Sequence, residues 1–146
     1  MESLIGQEED LARIVLAPRD IDPQTGYPKD SFISLRADER GISFLRLQWM
    51  GKEAFIDRGF CRAEHYNRNQ KKKQYEFAGW MEATVKDIQS LAPKIIKLVI
   101  DDPELAPEHV CIEFHKNDDV VKGIVTDAEV QDIMDDLFHL LKYVQL

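Results

Sequence analysis

The chain has 146 residues, of which 44% are apolar and 32% charged, and its formal net charge is −8. That length suits one domain, able to bury roughly 70% of the surface its unfolded chain exposes. The acidic balance disfavours non-specific attraction to nucleic acid or anionic lipid, and no apolar run approaches the ~20 residues of a membrane helix.

Residues 1–10 are acidic and lack the basic start and apolar run of an export signal. With only Cys61 and Cys111, no disulfide framework can form, and a single bridge is the most the chain allows. The expectation is a cytoplasmic protein with an acidic segment over 1–10 and a single domain over 11–146.

A first strand is predicted over 11–16, rich in β-formers and closed by Pro18. The loop over 17–30 follows, punctuated by Pro18, Pro23, Gly26 and Pro28, and a loop of that length is often functional. Its Asp20 to Gly26 stretch has the acidic start of a calcium loop. Thr25 stands where that loop needs glycine, and Ser31 where it needs a bidentate glutamate, so it reads as a turn.

Residues 31–36 and 42–47 alternate as two strands, with Phe32, Leu35, Phe44 and Leu47 as candidates for burial. Residues 37–41 join them with hairpin chemistry, Gly41 supplying a positive φ. A helix follows Gly51, with Ala54, Phe55, Phe60 and Cys61 at helical spacing.

The only basic stretch is 58–73. Arg62, Arg68, Lys71, Lys72 and Lys73 are its candidates for phosphate contact, with Tyr66 among the interleaved aromatics. Asp57 and Glu64 dilute it and no nucleic-acid motif surrounds it, so a solvated helix end is the preferred reading.

Residues 75–85 read as a strand whose odd-numbered side chains share a buried face. A helical turn over 86–91 and a strand over 95–100 follow, stopped by Pro103. Residues 109–115 alternate cleanly. Val110, Ile112 and Phe114 point to a core, and His109, Cys111, Glu113 and His115 point the other way. A short strand over 120–125 leads to Thr126, whose capping box with Glu129 opens a C-terminal helix. Val130, Ile133, Met134, Leu137, Leu140, Leu141 and Val144 form its apolar stripe.

The polar side of 109–115 gathers reactive residue types. On a straight strand His109 and His115 lie ~20 Å apart, too far to share one metal. His109, Cys111 and His115 are therefore metal candidates only with ligands from elsewhere, and a solvated strand face is the preferred reading. A Cys111 nucleophile activated by His109 lacks any visible oxyanion site. Arg13, Ser34 and Glu113 occur in the chain order of the Arg, Ser and Glu of ADP-ribosyltransferases. No phosphate loop, dinucleotide fingerprint, nucleophile elbow or zinc-helix motif is present, and no cofactor is implied.

Arg13-Ile14, Asp20 to Gly26, Ile42-Ser43-Phe44, Ala83-Thr84-Val85 and the segment Asp102-Pro103 through Pro107-Glu108-His109 come in a suggestive order. In that order the chain resembles a group of short, mostly bacterial proteins of unknown function with a late Asp-Pro-x-x-x-x-Pro-x-His segment. The resemblance implies a small α+β domain and brings no catalytic residues, but it draws notice to His109.

The expected architecture is α+β: one domain with a mainly antiparallel, curved sheet of five to seven strands, a middle helix and a C-terminal helix packed on the sheet. The expected function is a non-catalytic interaction or regulatory module with a protein partner or a second copy of itself, and no membrane or nucleic acid. The alternative is an enzyme or small-ligand binder, ADP-ribosyltransferase-like or hydrolytic, using Arg13, Ser34, His109 and Glu113. Convergence of those four side chains on one cleft is what would favour it.

Overall fold

In the computed structural model, which describes residues 5–36, 39–68, 74–121 and 127–146, the first apolar run forms strand β1 (Asp10–Ala17). It lies inside the sheet because both its edges find partners, β2 (Gly41–Arg46) on one side and β3 (Glu76–Thr84) on the other. Beyond β2 come β5 (His109–Lys116) and then β4 (Ile96–Val99). On the other side β7 (Lys142–Gln145) pairs with β3, and the short β6 (Asp119–Val120) turns back along β5. All these pairings are antiparallel, so the domain is α+β with a curved sheet of seven strands among the described residues.

Helices cover both faces. On one lies α2 (Lys52–Arg68), preceded by the single turn α1 (Leu47–Met50). On the other lie α3 (Val85–Leu91) and α4 (Ala128–Leu140). The alternation in β1 serves both layers. Leu11 and Val15 join Ile112, Phe114, Val130 and Leu137, whereas Ala12, Ile14 and Leu16 join Phe55, Phe77 and Trp80. A side chain as enclosed as Leu11 stabilises the fold by about 1.5–3 kcal/mol.

The strand expected over 31–36 does not form. Asp30–Phe32 is a 3-10 turn, and Phe32, Ile33 and Leu35 reach the core from a loop. The physical reason is that consecutive Phe32 and Ile33 both enter the same core, whereas a strand would send neighbouring side chains to opposite faces. Nor does Gly41 have a positive φ. Its missing side chain is explained by close approach, since a Cβ there would collide with the Ile112 carbonyl and the Cys111 thiol.

The single buried face expected for 75–85 is broken at Gly79, whose φ is +146°, beside the register shift at Val15/Leu16. Phe77 and Trp80 therefore face α2, while Met81 faces the opposite core, which Val85 joins as the first residue of α3. In α2 the buried residues are Phe55, Gly59 and Ala63, four apart; Ala54, Phe60 and Cys61 point to solvent. Helix α4 stops at Leu140, and Val144 belongs to β7, where the open edge of β3 captures it. Thr126 and residues 122–125 lie outside the described residues. Asp127 caps α4, its carboxylate accepting from the Val130 amide at 3.1 Å.

Part of the acidic N-terminal segment is tied to the sheet: the carbonyls of Gln7 and Glu9 accept from the amides of Lys86 and Val85.

Candidate functional site

Strands β1 and β2 pair only where Leu11 meets Arg46 and Ala12 meets Leu45. Continuing that register would set Ile14 against Ser43, but the strands part first. The loop after β1 takes over its edge: the Leu16 amide donates to the Asp20 carboxylate at 2.9 Å, and the Asp20 amide donates to the Leu16 carbonyl at 2.8 Å. A backbone satisfied by its own loop no longer needs the neighbouring strand. The gap between the strands is a cleft of about 230 Å³.

Its walls come from five parts of the chain. Arg13 and Ile14 lie on β1, Ser43 on β2, Arg62 and Tyr66 on α2, and His109 at the start of β5. The loop between β1 and β2 contributes Arg19, Asp20, Ser31, Ser34, Arg36 and Glu39. Four arginines face two carboxylates, so with His109 neutral the cleft holds two net positive charges in a chain of −8.

The arginines differ in what already holds them. Arg19 grips Asp20 at two points, 3.0 and 3.1 Å, and lies 4.9 Å from the Tyr66 ring centre. Arg13 lies 5.1 Å from the Phe32 ring centre and donates through Nη1 to the Ser43 carbonyl at 2.8 Å. Its Nε is buried without a hydrogen-bond partner. Burial pushes the Arg13 guanidinium down to about 10, with Asp20 and Glu39 resisting and Arg62 and Arg19 adding to the fall. It stays charged at neutral pH. The guanidinium groups of Arg36 and Arg62 make no hydrogen bond or ion pair with another described residue. Arg19, with Arg62 and Arg36 nearby, holds the Tyr66 phenol below its ordinary 10.0.

Of the residues singled out from the sequence, Arg13, Ser34 and His109 line this cleft; Glu113 does not. The outward face of β5 is also not the solvated face expected of it. Glu113 is only 3% exposed and Cys111 6%, because Glu113 is engaged by His115 Nε2 at 2.8 Å and approached by Arg40 at 3.8 Å. Among the described residues no three His, Cys, Asp or Glu side chains gather as a metal site, so His109, Cys111 and His115 are not assembled into one. Burial pushes the Cys111 thiol up to about 12, with Asp101 and Glu113 adding to it, which removes the thiolate a nucleophile needs.

The basic stretch divides. Arg62 enters the cleft, Arg58 is held by Glu108 at 3.0 Å, and Arg68 ends α2 away from it. Lys71, Lys72 and Lys73 lie outside the described residues. Sequence reasoning missed Arg19, Arg36 and Glu39 as site residues, and met Asp20 only in a turn and Tyr66 only as an aromatic of the basic stretch. The available signal was the long proline-punctuated loop, which does supply much of the wall.

A second, mainly aromatic and aliphatic depression of about 680 Å³ lies over α4 and β7, lined by Tyr27, Met81, Phe138, Leu141 and Tyr143. It is more capacious but gathers no comparable set of charges. Among the described residues no helix is long and apolar enough to cross a membrane. Comparison with protein-family models, with curated proteins and with solved structures gives no match.

Proposed function

We propose that this domain binds a small anionic ligand in the split between β1 and β2. One observation carries the reading. Arg13 is a half-buried cation whose guanidinium is hydrogen-bonded at Nη1 alone, and whose Nε is buried with no acceptor. A buried donor without an acceptor costs about 1–3 kcal/mol, and Arg13 lines the cleft, so an anion towards which its fork turns removes that cost. The unengaged guanidinium groups of Arg36 and Arg62 strengthen the case, because arginine forks suit the planar recognition of oxyanions. The ADP-ribosyltransferase-like grouping gets less support, since Glu113 sits with His115 and Arg40 instead of in the cleft. A regulatory domain that senses such a ligand and passes the signal to a protein partner is compatible with the acidic remainder of the chain.

Thermal unfolding in multivalent oxyanions, against chloride at matched ionic strength, tests the reading. The melting temperature rises with oxyanion concentration in the native chain, and the rise shrinks in Arg62→Gln. Equal behaviour in chloride and in every oxyanion rules the cleft out as a ligand site.

A further inference from the structure

The chemistry of the cleft narrows the ligand further, in an inference that rests on the anion-binding reading. We infer that the cleft takes a phosphomonoester carried on a small hydroxylated body. Charge is the first argument. The lining leaves two positive charges, and a phosphomonoester carries about −1.5 to −2 near neutral pH.

The second argument is how that charge is distributed. Arg13, Arg19, Arg36 and Arg62 all line one cleft of about 230 Å³, so the cations share a single small space instead of lying at two ends of a long groove. A phosphoryl group concentrates its charge on one atom centre and offers three acceptor oxygens. Arg13, Arg36 and Arg62 are three donors with capacity for them. A dicarboxylate spreads the same charge along its body and fits that convergence less well.

The third argument is size. About 230 Å³ lies below the roughly 300–1,000 Å³ of sites for drug-sized ligands, so a dinucleotide or nucleoside diphosphate is too large. The fourth is the rest of the wall. Ser34 donates its hydroxyl proton to the Ser31 carbonyl at 2.9 Å, which leaves its oxygen lone pairs to accept from a ligand hydroxyl.

Calorimetric titration at pH 7.5 and low ionic strength tests this, with glycerol 3-phosphate, orthophosphate, methyl sulfate, succinate and a phosphoserine peptide as probes. Glycerol 3-phosphate is expected to bind at least about threefold more tightly than orthophosphate, the ratio expected of one added neutral hydrogen bond, and at least about tenfold more tightly than each of the others. It is expected to lose at least about tenfold in Arg62→Gln, whose side chain is exposed and whose fold is checked by circular dichroism. Orthophosphate binding as tightly as the ester overturns the organic body. Equal binding of succinate or methyl sulfate overturns the phosphoryl assignment and leaves the anion-binding reading standing. A tighter phosphoserine peptide replaces the small molecule with a modified protein. No binding of any probe ends both readings.

Discussion

The Arg13 guanidinium donates to the Ser43 carbonyl at 2.8 Å, just past the last matched pair of β1 and β2. A side chain thus stands where a backbone amide would complete the ladder, and it holds the strands apart while satisfying one of them. Arg13→Met tests this arrangement. Ser43 is exposed, so its carbonyl takes water when the donor goes, and the cation removed is only half-buried. The unfolding midpoint in urea is expected to move little. What disappears is the extra stability conferred by glycerol 3-phosphate, and its full retention in the variant removes Arg13 from the site.

Helix α2 lies so close to β3 that a side chain on Gly59 would overlap the Phe77 ring. That ring cannot swing aside easily, because Phe60 meets its edge at 5.2 Å and Trp80 stacks on it at 6.4 Å. In Gly59→Ala, overpacking costs about 1–3 kcal/mol against a helix-propensity gain of about 1 kcal/mol, so a net loss is expected. Arg62 and Tyr66 follow on the same helix, and lifting it carries them away from the cleft. The checks are a lower denaturation midpoint and a several-fold weaker ligand. A more stable variant would show that α2 has room to spare.

The fold was legible where a single physical rule acts. Alternation in β1 and β5 and the apolar stripe from Val130 to Leu137 gave strands and a helix that form where they were read. Reading failed where tertiary competition decides. Residues 31–36 alternate well enough for a strand, yet Phe32, Ile33 and Leu35 are drawn together into one core from a turn and a loop. Val144 fits the helical stripe, yet the open edge of β3 takes it. Arg13, Ser34 and His109 were singled out on residue type, and three chain segments far apart bring them together. Arg19 and Arg36 carry no local pattern, and Tyr66 only that of the basic stretch. Their relation exists only because β1 and β2 separate, and no spacing in the sequence encodes that separation.

The two cysteines differ in environment in a way that chemistry can read. Cys61 is exposed on α2, whereas Cys111 is buried with its thiol pushed up to about 12. Since the thiolate is the reacting species, iodoacetamide at pH 8 is expected to modify Cys61 alone in the folded protein. Mass spectrometry should count one adduct per chain, with the second appearing only in denaturant. Comparable labelling of Cys111 without denaturant would mean that β5 opens readily.

Arg46 is only 4% exposed and holds Glu9 at two points, 2.9 and 3.0 Å, with Nη1 also donating to the Pro107 carbonyl. Burial raises the Glu9 carboxyl, but Arg46 and the Gly6 amide outweigh it and hold it below its ordinary 4.5. A carboxyl lowered on folding stabilises the fold above its unfolded value, and that contribution fades as pH falls through the folded one. Unfolding free energy should therefore decline from about pH 5 towards pH 3. Glu9→Gln should flatten that decline and cost about 3 kcal/mol at neutral pH, because the buried Arg46 loses its counter-charge. An unchanged acid profile in the variant would assign the decline to other carboxylates.

Glu113 separates the ligand-binding reading from the transfer reaction suggested by its place in chain order after Arg13 and Ser34. Its carboxylate, enclosed between His115 and Arg40, supports β5 on the same face as His109 but four residues further along, outside the lining of the cleft. Glu113→Gln keeps the shape and one acceptor but removes the charge from a buried site, so a loss of about 1–3 kcal/mol is expected by urea unfolding. Affinity for glycerol 3-phosphate should stay within about twofold of the native chain, since no charge-assisted contact to the ligand is lost. A reaction that needed Arg13, Ser34 and Glu113 around one substrate would require both quantities to fall together. Loss of stability with retained affinity therefore places Glu113 in the support of the sheet and leaves the arginine-lined split as the site.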